Sequence, residues 1–284
     1  MENKKILIAG ANGQLAKAFQ EILKQRNIPF AAPKEEEFNI TDLSVVEQVI
    51  LEQKPDILIN CAAYNAVDAA EDDAETAFAV NTKAVENLAS VCKQTNCFFV
   101  HYSTDYVFDG TKQGFYTEED PANPLSVYGK TKLESENLVE EKLSDYLIFR
   151  LSWVFGNGKQ NFLYKLLSWS KENSILKISA DEVSVPTYTE DIVNCTLLSL
   201  DKGLKGLYHL TNSGYASRYE YAKYFIHKMD LENIVLPAKM SDFPTKAKRP
   251  EFSAMSNHKL AKDLGIVIPE WEQGVEKFVL TTEM

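Results

Sequence analysis

The sequence has little of what marks several large classes of protein. It has 4 cysteines, 12 glycines and 10 prolines in 284 residues, which excludes a disulfide scaffold, collagen and low-complexity sequence. Positive charge is also scarce, because 30 Lys and Arg stand against 41 Asp and Glu and give a net charge of -11. Such a surface repels phosphate backbones, so we expect no nucleic-acid partner.

Long apolar runs and metal-binding patterns are missing too. No stretch reaches the roughly 20 apolar residues that cross a bilayer, so we expect no membrane partner. The strand-like run from Lys4 to Gly10 leaves no room for a signal peptide. The cysteines form no CxxC pair and no zinc-ligand spacing with histidine, which indicates reduced thiols in a cytoplasmic protein. These cysteines are Cys61, Cys92, Cys97 and Cys195.

What the sequence does contain is an alternation of short apolar runs with longer amphipathic ones. It predicts strands at residues 6–9, 28–32, 56–63, 97–101 and 146–151. It predicts helices at 14–25, after an N-cap at Thr41 or Asp42, and at 74–95. Strands that alternate with helices predict an α/β fold, a Rossmann-type doubly wound parallel sheet with helices on both faces.

The pattern becomes less regular after about residue 157. We therefore predict an NADP-binding Rossmann domain at residues 1–156, with parts of 185–215, and a smaller C-terminal substrate-binding lobe that takes up most of 157–284. The ligand cleft is expected between them, at the carboxyl ends of the strands.

A glycine loop joins the first predicted strand to the first predicted helix. Its sequence is Gly10-Ala-Asn12-Gly13-Gln-Leu-Ala16. Gly10 permits a tight turn, and Gly13 lets the backbone approach a pyrophosphate that rests on the free N–H groups of the helix. Any strand-to-helix turn can carry two glycines, but a loop in this context at the start of alternating strands and helices favours dinucleotide binding.

The end of the second predicted strand bears on the choice of cofactor. An acid there would accept a hydrogen bond from a ribose 2′-OH and favour NAD. The strand ends without one, and Lys34 is near enough to face a 2′-phosphate, although Glu35 to Glu37 follow it. The sequence therefore favours NADPH, with NADH as the alternative.

The strongest chemical signal is Tyr128-Gly-Lys-Thr-Lys132. Residues at i and i+4 share one face of a helix, so the lysine ammonium is predicted to lower the pKa of the Tyr128 phenol and make it a proton donor. The alternative is an exposed amphipathic pair. The segment 101–108 leaves the fourth predicted strand, where Thr104 can polarise a carbonyl and Asp105 can accept from a sugar hydroxyl, unless both belong to a simple turn or helix cap.

In their order and spacing these segments resemble the dTDP-4-dehydrorhamnose reductase family of extended short-chain dehydrogenase/reductases. The resemblance covers nearly the whole chain, and its most specific parts are Ser103-Thr-Asp-Tyr-Val-Phe108 and the Tyr128/Lys132 pair. The other shared segments are 10–16, 60–68 with Asn81, 124–127, 150–156, 161–162, 186–187, 249–250 and 269–274.

The resemblance implies that NADPH or NADH passes hydride to the C4 ketone of dTDP-4-dehydro-6-deoxy-L-mannose, giving dTDP-L-rhamnose. It implies that Tyr128 protonates the nascent alkoxide, that Thr104 stabilises the same oxygen, and that Lys132 lowers the Tyr128 pKa and anchors the ribose. The implied cofactor-binding residues are Gly10, Asn12, Gly13, Gln14, Leu15, Asn39, Ile40, Ala62, Ala63, Tyr64, Tyr102, Tyr128 and Lys132. The implied substrate-binding residues are Val67, Thr104, Asp105, Trp153 and Arg249.

The sequence departs from the family pattern at several positions. Asn39 stands where an acid is usual, Asn65 where Thr is frequent, and Glu182-Val-Ser184 replaces a Gln-Tyr-Gly-like stretch. Some members of the family dimerise through a carboxylate-bound Mg²⁺. Here Ala18 occupies the expected carboxylate position and leaves Glu190 alone, so no structural metal is predicted and a homodimer would need other contacts.

Three alternatives stay open. Arg249 is either a diphosphate ligand or a surface arginine in a basic stretch. The substrate is either the implied ketone or another nucleotide sugar, in a ketoreductase or an epimerase. The chain as a whole is either an enzyme or a non-catalytic NADP-binding regulatory subunit, and the presence of Thr104, Tyr128 and Lys132 favours the enzyme.

Overall fold

A computed structural model describes residues 4–282. In residues 4–151 strands alternate with helices, as follows: β1 (Ile6–Ala9), α1 (Gln14–Gln25), β2 (Phe30–Ala31), α2 (Leu43–Gln53), β3 (Ile57–Asn60), α3 (Val67–Asp72), α4 (Ala74–Phe78), a π-helical turn (Ala79–Lys83), α5 (Ala84–Thr95), β4 (Phe98–Thr104), a 3₁₀ turn (Asp105–Val107), α6 (Val127–Lys142) and β5 (Tyr146–Leu151).

The remaining described residues form shorter strands and further helices. In chain order these are β6 (Val154–Phe155), α7 (Phe162–Glu172), β7 (Ile175–Ser179), β8 (Val183–Ser184), β9 (Thr187–Tyr188), α8 (Thr189–Asp201), β10 (Gly206–His209), β11 (Ala216–Ser217), α9 (Arg218–Lys228), β12 (Ile234–Ala238), a 3₁₀ turn (Met240–Asp242), α10 (His258–Leu264) and α11 (Trp271–Thr281). No helix within residues 4–282 is both long and apolar enough to cross a bilayer.

A six-stranded sheet organises the described chain. Its strand order is β2-β1-β3-β4-β5-β10, and all neighbouring pairs are parallel. The order reverses between β1 and β3, and sheets of this kind bind ligands outside their carboxyl ends at such a reversal. The predicted doubly wound parallel sheet is confirmed.

The strands are apolar throughout because both faces of the sheet are covered. Successive side chains of a strand point to opposite faces. Ile6 and Ile8 accordingly pack in one cluster with α1, α8 and α10, whereas Leu7 and Ala9 pack in another with α2 and α5. We call this sheet with its flanking helices (residues 4–151, 189–212 and 258–268) the sheet region.

The predicted elements agree with the structure where the apolar pattern is long. The helix at 14–25 and the strand at 146–151 have the predicted bounds. Of the two candidate caps for α2, the structure selects Asp42, whose carboxylate accepts from the N–H groups of Ser44 and Val45. β4 runs to Thr104, three residues past the prediction, and the predicted helix 74–95 is interrupted by the π-helical turn.

Two predicted strands need correction at their ends. The second strand is shorter than predicted, and β3 spans only residues 57–60 of the predicted 56–63, since the Asn60 carboxamide turns back to accept from the Ala62 N–H. The π-helical turn frees Asn81 to bind the Tyr64 backbone and the Thr131 hydroxyl, which links the loop after β3 to α6. π-helical turns within α-helices are frequently found at functional sites.

The other part of the molecule is built from short pairings. β6 pairs with β9, β7 with β12, and β8 with β11, and the first and last of these pairs involve two residues on each side. Its core is rich in aromatic side chains, among them Phe155, Tyr188, Tyr221, Phe225 and Trp271. We call residues 152–188, 213–257 and 269–282 the small-strand region. The predicted domain boundary near residue 157 stays a prediction, and residues 1–3 and 283–284 of the predicted domains lie outside the described residues.

Candidate active site

A cavity of about 290 Å³ lies at the carboxyl ends of β1, β3 and β4, at the reversal in strand order. Both regions contribute to its wall, and α6 closes one side. Its lining includes these predicted site residues: Gly13, Gln14, Leu15, Ala62, Ala63, Tyr102, Thr104, Asp105, Tyr128, Lys132 and Trp153.

A second cavity of about 300 Å³ adjoins the first and shares Gly13, Ala62 and Ala63 with it. Its lining contains four further predicted cofactor-binding residues, namely Gly10, Asn12, Asn39 and Ile40. Glu35 also lines this cavity, whereas Lys34 does not. The two cavities together form a continuous groove past the first turn of α1.

The glycine loop fits a dinucleotide. Gly10 has a φ of +77°, and a Cβ at this position would lie 2.6 Å from the backbone nitrogen of Ala62, so only glycine is accommodated. The N-cap of α1 is Gly13, which supplies no side-chain acceptor, and the first turn of the helix holds no acidic residue. The helix N-terminus therefore presents backbone N–H groups that suit an anion such as a pyrophosphate.

Tyr128 is almost fully buried against the first cavity. Its hydroxyl donates to Asn65 Oδ1 at 3.4 Å, and its ring meets the ring of Tyr106 edge to face. Burial raises the pKa of Tyr128 to about 12, partly offset by a hydrogen bond with Thr104. The prediction that Lys132 lowers the pKa of Tyr128 is wrong. Burial of the phenol has the largest effect and raises this pKa, and the lysine amine donates to the Tyr102 carbonyl instead.

Lys132 is 2% exposed and lies beneath the cavity floor. Its Nζ donates to the carbonyl oxygen of Tyr102 at 2.6 Å, which pulls the amine toward β4. Burial lowers the pKa of Lys132 to about 8, and the carboxylate of Glu136 opposes that change. At neutral pH Tyr128 is thus a neutral phenol, which is the form that can give up a proton.

Asp105 joins the two regions at the cavity. Its Oδ2 accepts from Ser184 at 2.8 Å and from Ser253 at 2.6 Å, and its Oδ1 accepts from Thr104 at 3.2 Å. Burial raises the pKa of Asp105 to about 6, although the three hydroxyl groups oppose it. The departure from the family pattern at residues 182–184 therefore supplies Ser184 as a partner for the predicted substrate-binding carboxylate.

An aromatic cavity of about 400 Å³ continues from Trp153 into the small-strand region. The guanidinium of Arg218 lies 3.6 Å from the centre of the Trp153 ring and 5.1 Å from that of Phe162. Lys165 and Tyr221 complete this part of the wall. A cation stacked between aromatic rings at an open cavity can bind a phosphate or diphosphate while its stem stays ordered.

Three buried polar atoms along these walls have no hydrogen-bond partner in the described structure. They are Ser103 Oγ in the first cavity, Trp153 Nε1 at the junction and Tyr221 Oη in the aromatic cavity. Buried polar groups are normally satisfied, so these atoms indicate places where a polar ligand binds. Trp153 also has a φ of +41°, a strained conformation that is frequent at functional sites.

Three predicted site residues do not line any of these cavities. Tyr64 and Val67 pack in a small apolar cluster around Tyr128. Arg249 forms a two-point ion pair with Asp68, at 3.1 and 2.7 Å, which turns its guanidinium toward α3. Its charge is therefore already balanced within the chain, which removes the reason for assigning it to a diphosphate.

Arg218 is the main site residue that sequence reasoning missed. It follows Ser217, which forms a capping box with Glu220 at the start of α9. The Ser-x-x-Glu pattern predicts a helix N-terminus there, but the approach of that helix to Trp153 depends on tertiary packing. Among residues 4–282 no cluster of His, Cys, Asp and Glu could hold a metal ion, and the Glu190 carboxylate accepts from Tyr188.

Known proteins resemble this chain over nearly its whole length. Residues 4–284 match the family described as the RmlD substrate binding domain. The curated dTDP-4-dehydrorhamnose reductase of Burkholderia thailandensis is 36% identical over 95% of this chain and 96% of its own length.

Two solved structures are similar over almost the whole chain. A dTDP-4-dehydrorhamnose reductase from Clostridium acetobutylicum is 36% identical, with a TM-score of 0.96 over 99% of this chain and 100% of its own. The dTDP-4-dehydrorhamnose reductase of Bacillus anthracis, solved in complex with NADP, is 33% identical, with a TM-score of 0.95 over 98% of this chain and 99% of its own.

Proposed function

Since the chain belongs to the RmlD substrate binding domain family, we propose that it reduces the C4 ketone of dTDP-4-dehydro-L-rhamnose to dTDP-L-rhamnose with hydride from NADPH, NADH being an alternative donor. The observation that carries the proposal is the convergence of Thr104 and Tyr128 on one cavity with the glycine loop of α1. The enzyme reading explains this convergence, whereas a regulatory subunit needs only the loop.

Tyr128 and Thr104 act on the carbonyl oxygen. Bound NADPH supplies the hydride. Tyr128 keeps its proton at neutral pH, because burial raises its pKa to about 12, and it donates that proton to the oxygen as negative charge develops there. Thr104 supplies a second hydrogen bond to the same oxygen, and its present bond to Asp105, at 3.2 Å, is long enough to be exchanged readily.

The cofactor and the substrate occupy different parts of the groove. The backbone N–H groups at the start of α1 would hold the pyrophosphate of the cofactor, and Lys132 would hold the ribose beside its nicotinamide. This assignment supports the predicted NADP-binding domain at 1–156 with parts of 185–215. The aromatic cavity lies mostly within 157–284, which supports the predicted substrate-binding lobe.

We assign the substrate diphosphate to Arg218 rather than to Arg249. Arg218 lines the aromatic cavity, and its guanidinium forms a long ion pair with Glu182, at 3.5 Å. Trp153 lies between this cavity and the reaction cavity, with an unpaired indole N–H. It is placed to contact the sugar that joins the diphosphate to the reacting carbon.

The test is oxidation of NADPH, followed at 340 nm, with dTDP-4-dehydro-L-rhamnose and with other nucleotide-sugar ketones. We expect turnover with the dTDP sugar and a loss of about a thousandfold in kcat for Tyr128→Phe, with NADPH affinity retained. Tyr208→Phe is the matched control, because that hydroxyl donates to Asp263 at the far end of the sheet. Near-normal turnover of Tyr128→Phe rejects Tyr128 as the acid, and no turnover by the folded wild type rejects the reductase assignment.

Two further proposals follow from the family and the reaction. We propose that the protein acts in the cytoplasm, where NADPH and nucleotide sugars are made. We also propose a homodimer, which sedimentation of the purified protein tests directly.

A further inference from the structure

His101, on β4, is fully buried and lies next to Lys132 of α6. Its Nε2 is 3.4 Å from Lys132 Nζ and 3.0 Å from the Ser135 hydroxyl. The proposed mechanism gives no role to this imidazole, although it is a neighbour of the amine that holds the ribose.

The surrounding hydrogen bonds determine which ring nitrogen carries the proton. Asn60 Oδ1 accepts from the Ala62 N–H at 3.1 Å, so the amide nitrogen of Asn60 must be the atom that faces His101 Nδ1, at 3.3 Å. That nitrogen can only donate, which makes Nδ1 an acceptor. A neutral imidazole with Nδ1 as acceptor carries its proton on Nε2.

Ser135 is consistent with this tautomer. Its hydroxyl donates to the carbonyl oxygen of Lys132 at 2.6 Å, so its oxygen is left to accept from His101 Nε2. The imidazole is therefore fixed at both nitrogens, by Asn60 at one edge and Ser135 at the other. A second proton on Nδ1 would face the Asn60 amide hydrogens, which keeps the ring neutral.

We propose that His101 is a positioning residue of the reaction: its neutral imidazole, held in one tautomer by Asn60 and Ser135, places a protonated Nε2 3.4 Å from Lys132 Nζ, where it cannot accept a hydrogen bond, and so leaves the Tyr102 carbonyl as the acceptor that fixes the amine. The inference rests on the proposed function for its consequence in catalysis, but the contact itself does not depend on the substrate. Because Asn60 also binds the Ala62 N–H, the same network joins the amine to the loop that lines the cofactor groove.

The contact has a measurable electrostatic consequence. The positive end of the Nε2–H bond, although that bond is directed to Ser135, lies close to Lys132 Nζ, opposes its ammonium form and favours the amine. The other titratable groups around the amine are Glu136, one turn further along α6 and paired with Arg150, and Tyr128, which lines the same cavity. Glu136 favours the ammonium, so His101 and Glu136 act in opposite directions.

The experiment is an NMR titration of the lysine ε-carbon in the cofactor-free protein, with ¹³C-labelled lysine and Lys132→Ala used to assign the signal. In His101→Phe the N–H is lost while ring volume is retained, so we expect the pKa of Lys132 to rise by about half a pH unit or more above its value of about 8. In His101→Gln the side-chain amide can restore an N–H, so we expect a value near the wild type.

Ser135→Ala gives a change of the opposite sign. Without the serine oxygen, Nε2–H has only the amine to face, so the pKa of Lys132 should fall below the wild-type value. Thr196→Ala is the control, since it breaks a buried bond to the Tyr102 hydroxyl away from Lys132 and should leave the titration unchanged.

Opposite shifts in His101→Phe and Ser135→Ala support the proposal, and the basic limb of the kcat/KM pH profile should move with each of them. General damage to the fold would not produce opposite signs. An unchanged Lys132 titration in both variants overturns the proposal. Failure of the reductase assay in the wild type leaves the titration interpretable, which separates the two hypotheses.

Discussion

The two walls of the groove are held in place by different kinds of interaction. In the sheet region, the four inner strands β1, β3, β4 and β5 have four to seven residues and lie between parallel neighbours, and β3 and β4 carry polar residues where they end, namely Asn60 and Thr104. In the small-strand region, short strand pairs are held by packed rings, such as Trp153 stacked on Tyr221 and Phe155 tilted against Tyr188. The first wall is set by backbone pairing and the second by side-chain packing.

This contrast separates the tasks of the two walls. The wall built on backbone pairing presents the glycine loop and the hydroxyl groups of Thr104 and Tyr128, which the proposed function assigns to the cofactor and to the reacting oxygen. The wall built on ring packing presents Arg218 and Trp153, which the proposed function assigns to the substrate. Substitutions on one wall should therefore alter one ligand and spare the other.

The largest effect that tests this separation is expected for Arg218→Ala. Removal of the guanidinium takes away the stacked cation assigned to the substrate diphosphate and leaves Lys165 on the same wall, so KM for the dTDP sugar should rise about thirtyfold, the equivalent of about 2 kcal/mol. KM for NADPH should stay within about twofold. The KM of Arg218→Lys for the dTDP sugar should lie between the values of the wild type and Arg218→Ala, because lysine keeps the charge and loses the stacking on Trp153.

Arg249→Ala is the matched control for Arg218→Ala. The Arg249 guanidinium is paired with the Asp68 carboxylate, so Arg249→Ala should raise KM for the dTDP sugar far less than Arg218→Ala does. A larger rise in KM for Arg249→Ala than for Arg218→Ala would return the diphosphate to Arg249, as the resemblance first implied.

The same contrast explains what could be predicted from the sequence. The bounds of α1 follow from apolar residues at helical spacing. The bounds of β5 follow from a continuous apolar run, which is typical of a parallel strand buried on both faces. The positions of Tyr128, Lys132 and Thr104 follow from spacing along a helix or from the end of a strand, whereas their roles come from the family resemblance. For these residues local sequence and tertiary position carry the same information.

Arg218, Ser184 and Ser253 had no such local signal. Each reaches the site through contacts between distant parts of the chain, for instance the bonds of Ser184 and Ser253 to Asp105. The pKa of Tyr128 was predicted in the wrong direction for a similar reason. The spacing to Lys132 is visible in the sequence, whereas burial and the carbonyl that captures the amine are not.

Asp105 lies where the two walls meet, and its titration tests how firmly they are joined. Its pKa is about 6 in the folded protein against an ordinary value of 3.8, so the folded state binds this proton more tightly than the unfolded state does. The resulting stabilisation is complete below about pH 4 and is lost as the pH rises through 6. Asp105→Asn lacks this dependence, so the stability of the wild type relative to this variant should fall by on the order of 2 kcal/mol between pH 4 and pH 8.

Denaturant unfolding of both proteins at several pH values measures this difference. Asp109→Asn is a control of opposite sign, because hydrogen bonds from Thr111 and Asn123 lower the pKa of Asp109 to about 2. The relative stability of the wild type over that variant should decline as the pH falls toward 2. A constant stability difference for Asp105→Asn from pH 4 to 8 would mean that the carboxylate is solvated and that the seam between the walls is open.

The smallest expected effect concerns cofactor choice and is confined to the sheet region. Glu35 lines the second cavity, where the proposed function places the adenosine half of the cofactor, and none of the described residues that line this cavity is a lysine or arginine. Its carboxylate repels a 2′-phosphate, so Glu35→Gln should raise the preference for NADPH over NADH several-fold, measured as the ratio of the two kcat/KM values. KM for the dTDP sugar should not change.

Glu36→Gln is the matched control for this substitution. It removes the same charge at the next residue, whose side chain does not line the cavity. An equal change in both variants would assign the effect to the general field of an acidic protein rather than to a contact. A change confined to Glu35→Gln shows that the loop after β2 discriminates between the cofactors by one local carboxylate. In that case the preference for NADPH inferred from Lys34 rests on a side chain outside the cavity, and the described residues that line the cavity oppose a 2′-phosphate through Glu35 without offering it a cation.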